Sequence, residues 1–125
     1  MTVVLDTNAL MMPVECDLRL FEELDRLLDA PTLVTPEAVV AELEKLADGG
    51  GEEATAASVG LDLVERCERR PTGAAYADDA VLELAAETDA THVVTNDGPL
   101  KQRVLDAGVS VISLRGRSKL AITQP

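Results

Sequence analysis

Aromatic side chains are almost missing from this chain. Tyr76 and Phe21 are the only two in 125 residues, and there is no tryptophan. A core without rings has to be built from Val, Leu, Ile and Ala, which dominate the 46% hydrophobic content. Cysteine is as scarce: Cys16 and Cys67 lie far apart, form no CxxC, and are expected to be reduced and buried. That excludes a disulfide scaffold and a thiolate metal site. The lone His92 has no Cys or His partner at zinc-binding spacing. No run of 18 apolar residues occurs, and Met1-Thr2 leads into a strand-like run instead of a signal peptide, so a cytoplasmic protein with no membrane partner is expected. No G-x-x-x-x-G-K-[ST] pattern is present, and Gly49-Gly50-Gly51 follows a helical pattern, so it reads as a linker and not a phosphate cradle.

Bases are also in short supply: 11 Lys and Arg stand against 23 Asp and Glu, for a net charge of −12. Such a surface repels polyanions. Two features soften that conclusion. The acids crowd the exposed faces of helical patterns in a chain poor in Lys, the balance of a halophilic protein, whose charge keeps it soluble while salt shortens the reach of repulsion. The charge is also uneven. Residues 1–100 carry six bases and 22 acids, whereas residues 101–125 carry Lys101, Arg103, Arg115, Arg117 and Lys119 against Asp106 alone. These five cations form a candidate phosphate-facing patch.

Along the chain, short apolar runs at Thr2–Leu5, Thr32–Val34, His92–Thr95 and Val109–Leu114 read as buried strands. Helical spacing spans Asp17–Leu28, Pro36–Ala47, Glu52–Arg70, Asp78–Glu87 and Leu100–Asp106. Alternation of this kind implies right-handed crossovers and an α/β/α sandwich of three layers, with a central parallel sheet of four to five strands. A single domain over residues 1–125 is expected, with 115–125 a loosely ordered polar and basic tail. In such sheets ligands bind beyond the carboxyl ends of the strands.

Acidic residues fall at that edge in a fixed order: strand then Asp6-Thr7-Asn8, helix with Glu42, helix with Asp78-Asp79, strand then Thr95-Asn96-Asp97. Singly each has a structural explanation, as a turn former, a solvated helix residue or a helix cap. Together they repel, and one or two Mg²⁺ or Mn²⁺ ions, which take oxygen ligands, are the commonest way to hold such a set. A site of that kind points to phosphodiester chemistry.

The order of motifs resembles the PIN domain, a family of metal-dependent ribonucleases. The pattern runs through D-x-N at Asp6, an acid after the second strand at Glu42, D-A-x-[IL] at Asp79-Ala80-Val81-Leu82, and T-x-D at Asp97. The resemblance implies that Asp6, Glu42, Asp79 and Asp97 are the catalytic and metal-holding acids, that Asp78 contributes, and that Asn8 and Thr95 orient them. It implies hydrolysis that leaves a 5′ phosphate and a 3′ hydroxyl, on an RNA contacted by the C-terminal cations, and often a homodimer. Tyr76-Ala77-Asp78-Asp79 and Thr95-Asn96-Asp97 followed by Leu100-Lys101 are most similar to the branch that processes small-subunit ribosomal RNA precursors, with ribosome-assembly factors as partners. The compact length also suits VapC-type toxins, whose partner is an antitoxin. A non-catalytic RNA- or protein-binding module would have shed the acids. An aspartyl phosphotransferase would want a second Asp where Asn8 stands. With two aromatic rings, stacking on splayed bases is expected to be minimal.

Overall fold

The computed structural model describes residues 1–125. Six strands form one sheet: β1 (Thr2–Leu5), β2 (Thr32–Pro36), β3 (Glu68–Arg70), β4 (His92–Val94), β5 (Ser110–Arg115) and β6 (Lys119–Thr123). Six helices connect them: α1 (Thr7–Glu15), α2 (Leu20–Leu27), α3 (Glu37–Ala47), α4 (Gly51–Val64), α5 (Ala77–Glu87) and α6 (Gly98–Asp106). The strand order is β3-β2-β1-β4-β5-β6, parallel throughout except for the β5–β6 hairpin. From β1 the chain moves outward to β2 and β3, then returns to place β4 on the other side of β1. The order therefore reverses between β1 and β4, and a crevice opens there at the carboxyl ends of the strands.

The core is aliphatic. Val3, Val4, Leu5, Val93, Val94, Val111 and Ile112 are fully buried in the central strands. Runs without alternation mark strands covered on both faces. Phe21 is the one ring in this core, and the Arg66 guanidinium lies 3.9 Å over it. Cys16 and Cys67 are free but half-buried, not fully buried: each borders the core from a helix end. No helix is long and apolar enough to cross a membrane.

The sheet has six strands, one or two more than expected, and both additions are edge strands. β3 carries Glu68-Arg69-Arg70, all exposed, so no apolar signal announces it. Its Arg69 forms a bidentate pair with Glu37 at the start of α3. The expected helix to Arg70 stops at Val64. β6 replaces the expected loose tail. Gly116, at φ +72°, turns β5 back on itself, and Leu120 is buried. A two-point clamp then fixes β6 to α2: the Leu120 N–H donates to Glu23 Oε1 (2.8 Å), and Arg26, itself paired with Glu23, donates to the Leu120 carbonyl (2.8 Å). α1 was not legible either, because Thr7, Ala9, Leu10, Met11 and Met12 are all buried and give no helical alternation.

Helix α4 crosses α1 at Gly60. A Cβ there would stand 3.0 Å from the Leu10 carbonyl oxygen and 3.2 Å from Leu43 Cδ2. Gly60→Val should therefore lower the unfolding free energy by about 1–3 kcal/mol through overpacking. Gly50→Ala, with nothing within 4 Å of its Cβ, should stay near the parent. Denaturant unfolding of both variants measures the difference.

Candidate active site

Asp6 follows β1 directly and caps α1: its Oδ1 accepts from the Ala9 N–H at 2.7 Å. Asp97 does the same for α6, accepting from the Leu100 N–H at 2.9 Å. Asp78 lies in the first turn of α5. Three helix N-termini thus reach the mouth of the β1/β4 crevice, and the positive ends of their dipoles favour the carboxylates set there. Glu42 comes from the middle of α3, where it accepts from Thr7 Oγ1 at 3.2 Å.

These four acids line one cleft of about 380 Å³, together with Thr7, Asn8, Glu15 and Glu53. No basic side chain is in its wall. Asp6 lies at the bottom, 4% exposed. Burial pushes its carboxyl up from the usual 3.8 to about 7; hydrogen bonds from Thr95 and Ala9 oppose this, and the negative charges of Asp78 and Asp97 add to it. Asp78 is also raised, first by burial, then by Asp97, with Arg103 opposing. The mutual repulsion of the set is therefore felt by its members.

Asp79 is not in the cleft. Its Oδ1 accepts from Arg103 at 2.8 Å on the adjoining surface, and both side chains are about half exposed. The expectation that Asp79 faces the cleft with Asp78 as the lesser partner is reversed in placement. Helical phase explains it: Asp78 shares a face with buried Val81 and Ala85, three and seven residues on, whereas Asp79 shares one with Leu82 and exposed Ala86. The same phase was available in the sequence.

Asn8 and Thr95 join the acids into one frame. Asn8 Oδ1 accepts from the Asn96 N–H (2.9 Å), tying the turn after β1 to the turn after β4. Thr95, fully buried, accepts from the Asp97 N–H through Oγ1 (3.0 Å). Asn96 completes the frame by accepting from the Leu114 N–H at 2.7 Å. Sequence reasoning missed Asn96, Glu15 and Glu53; the first sits between two residues already singled out, while the other two have no signal beyond being acidic.

Of the expected cations, Arg103 borders the cleft but is paired with Asp79, and Lys101 is half-buried on α6. Arg115, Arg117 and Lys119 are exposed around the β5–β6 turn and make no ion pair. A shallow depression holding Arg117 shares Glu15 with the acidic cleft, so the basic turn adjoins it.

The donor set is oxygen only, with several anionic groups, and suits a hard divalent cation. As placed, no three acidic, histidine or cysteine side chains close around a single point. Asp6 is buried, whereas Glu42, Asp78 and Asp97 are exposed side chains at the cleft wall.

In chelator, the raised Asp6 carboxyl sets a pH trend. The folded state holds its proton up to about pH 7 and the unfolded chain releases it near 3.8, so between those values the native state binds more protons and stability falls as pH rises. Asp6→Asn should flatten this slope and match or exceed the parent in stability above pH 7. Thermal unfolding of both proteins across that window is the check.

The sequence places this geometry among known proteins. A family model described as "PIN like domain" matches residues 3–117. Ribonuclease VapC4 of Methanocaldococcus jannaschii is 28% identical over 124 residues, 96% of this chain and 95% of that protein. The rRNA-processing protein fcf1 of Schizosaccharomyces pombe is 34% identical over 116 residues, 90% of this chain but 58% of its own length. Among solved structures, that of the PIN domain endonuclease Utp24 superposes with a TM-score of 0.80 at 32% identity, covering 99% of this chain and 92% of that one. VapBC2 from Rickettsia felis, bound to a promoter DNA fragment, shares the fold at a TM-score of 0.68 and 15% identity, covering 92% of this chain and 100% of that one.

Proposed function

The chain belongs to the PIN-like domain family, and from that premise we propose that it is a metal-dependent endoribonuclease acting in the processing of precursor small-subunit ribosomal RNA. The observation that carries the reading is the gathering of Asp6, Glu42, Asp78 and Asp97 around one cleft at the β1/β4 crevice. The ribosomal assignment is supported by the 34% and 32% identities to fcf1 and Utp24.

Asp6, Asp97, Asp78 and Glu42 are the side chains that would hold one or two Mg²⁺ or Mn²⁺ ions. Such ions supply an activated water near neutral pH and offset charge on the phosphoryl oxygens. The chain's own contribution is position and field. Asp6 is immobilised by Ala9 and Thr95, and Asp97 by Leu100 and the Asn8–Asn96 bond. Thr7 donates to Glu42 and holds it at the cleft. Arg115, Arg117 and Lys119 outside the cleft receive the flanking phosphates, while Arg103 restrains Asp79 beside Asp78. No His or Lys base is required, in keeping with the composition of the cleft wall.

A second reading, a VapC-type toxin ribonuclease with an antitoxin partner, is supported by the match to Ribonuclease VapC4 along nearly the whole of both chains. The same cleft would do the same chemistry on another RNA. A non-catalytic module is disfavoured by the retained acids.

Cleavage is tested on a precursor small-subunit ribosomal RNA fragment beside transfer, messenger and unrelated structured RNA, in high salt, with Mn²⁺ or chelator. Cutting confined to the precursor and lost in chelator supports the first reading; cutting of transfer or messenger RNA supports the second. Absence of cutting under every condition sinks both.

The placement of side chains makes a sharper expectation. Asp6→Asn, Asp97→Asn and Asp78→Asn should each lower the rate roughly 100-fold or more, the scale of single groups in a preorganised electrostatic site. Asp79→Asn, which loses only an exposed ion pair, should cost about fivefold or less. Millimolar Mn²⁺ should raise the melting temperature of the parent by mass action on the native state, and should raise that of Asp6→Asn less.

A further inference from the structure

We propose that Tyr76 and the apolar depression beside it form a nucleobase subsite, which stacks one unpaired base of the RNA at the rim of the acidic cleft. This deepens the nuclease reading and rests on it. The chain's two rings have opposite fates. Phe21 is 8% exposed in the core with Arg66 across its face, whereas Tyr76 is 77% exposed. An exposed ring is ordinary by itself; what singles out Tyr76 is that it stands beside an apolar depression that borders the acidic cleft.

Its position is two residues before Asp78, at the N-cap of α5. On one side lies a depression of about 490 Å³ lined by Ala38, Ala41, Leu46, Ala75 and Ala77. On the other lies the hollow that holds Asp78, Asp79 and Arg103. Glu42 is in the wall of both and of the acidic cleft, and Leu46 is in the wall of the depression and of the cleft. The ring therefore stands on a surface continuous with the acidic cleft and shares a hollow with Asp78.

The chemistry of this surface favours a base over other occupants. Alanine side chains give a low apolar floor with no hydrogen-bonding demands, which suits a flat π-face of any base. Lys45, at the edge of the depression, makes no ion pair and can meet the phosphate of the same nucleotide. The platform is also fixed in advance. The Gly73 N–H donates to Glu83 Oε2 at 2.6 Å, pinning the loop before Tyr76 to α5, and the Ala80 N–H donates to the Tyr76 carbonyl at 2.9 Å. Little order has to be gained on binding. Stacking was expected to be minimal from composition; one ring serves one base, and its placement makes that base the neighbour of the bond to be cut.

The composition provides the test. With one tyrosine and no tryptophan, intrinsic emission of the whole chain reports Tyr76 alone. The parent in chelator and Asp6→Asn with Mg²⁺ are titrated in high salt with a short single-stranded oligoribonucleotide, then with versions carrying one abasic residue walked along it. Saturable quenching that is lost at one abasic position and kept at the others is expected. In steady-state cleavage, Tyr76→Ala should raise KM about tenfold with kcat little changed, and Tyr76→Phe should restore the parent value. Position-specific quenching without cutting of any RNA would keep the subsite and remove the nuclease. Metal-dependent cutting with KM unmoved by Tyr76→Ala, or emission indifferent to every oligonucleotide, overturns the subsite and assigns the exposed ring to a protein contact.

Discussion

Like charges at the mouth of the sheet repel one another, and the local structure there is arranged to hold them in place. Asp6 is almost completely buried on a strand end, the setting least favourable to an anion. What opposes that burial is the pair of hydrogen bonds from the Thr95 hydroxyl and the Ala9 N–H, in a crevice where three helix N-termini turn their positive ends toward the acids, and the carboxyl still rises to about 7. The topology follows from this. Only where β1 and β4 lie side by side and their helices leave in different directions do three such termini meet. The Asn8–Asn96 and Thr95–Asp97 bonds then prevent the two turns from moving apart under the repulsion they carry.

Much of this is legible in the sequence. The strands at Thr2–Leu5, Thr32–Val34, His92–Thr95 and Val109–Leu114 are buried through their centres, so their apolar runs stand out, and each is found within a residue or two. The acids after β1 and β4 could be located because a strand end in a parallel sheet is a defined place. Illegible elements share a physical reason. β3 is an exposed edge held by a bidentate ion pair, and β6 is anchored by one buried residue and a clamp from a distant helix, so neither has a local apolar pattern. α1 is hidden for the opposite reason, being apolar on nearly every side. Asp78 and Asp79 are a case between: motif spacing favoured one, helical phase the other, and the phase decides which carboxylate enters the cleft.

The charge pattern sets how an RNA could approach. The cleft wall carries no cation; unpaired cations sit on the hairpin turn beyond Glu15 and, at Lys45, beside the depression next to Tyr76. An incoming strand would meet favourable potential beside the cleft and not within it. Few phosphates are neutralised in such a complex, so little counterion release drives it. For a chain of net charge −12, salt would act on RNA association in two opposing ways, screening the acidic surface while weakening the contacts of the few cations with phosphate.

The Glu23–Arg26 pair has an importance beyond fixing β6. The last strand of any open sheet turns a row of unpaired N–H and C=O groups outward, a template on which another chain can add. At Leu120 both groups are already taken, by a carboxylate and a guanidinium from the same helix. At the opposite border, β3 presents only charged side chains. The two borders of the sheet are thus guarded against intermolecular strand pairing by different devices, a local clamp at Leu120 and a run of charge on β3. Strand addition at the β6 border would therefore have to displace two charge-assisted hydrogen bonds at Leu120 first, a local barrier to aggregation that does not depend on the overall charge of the molecule.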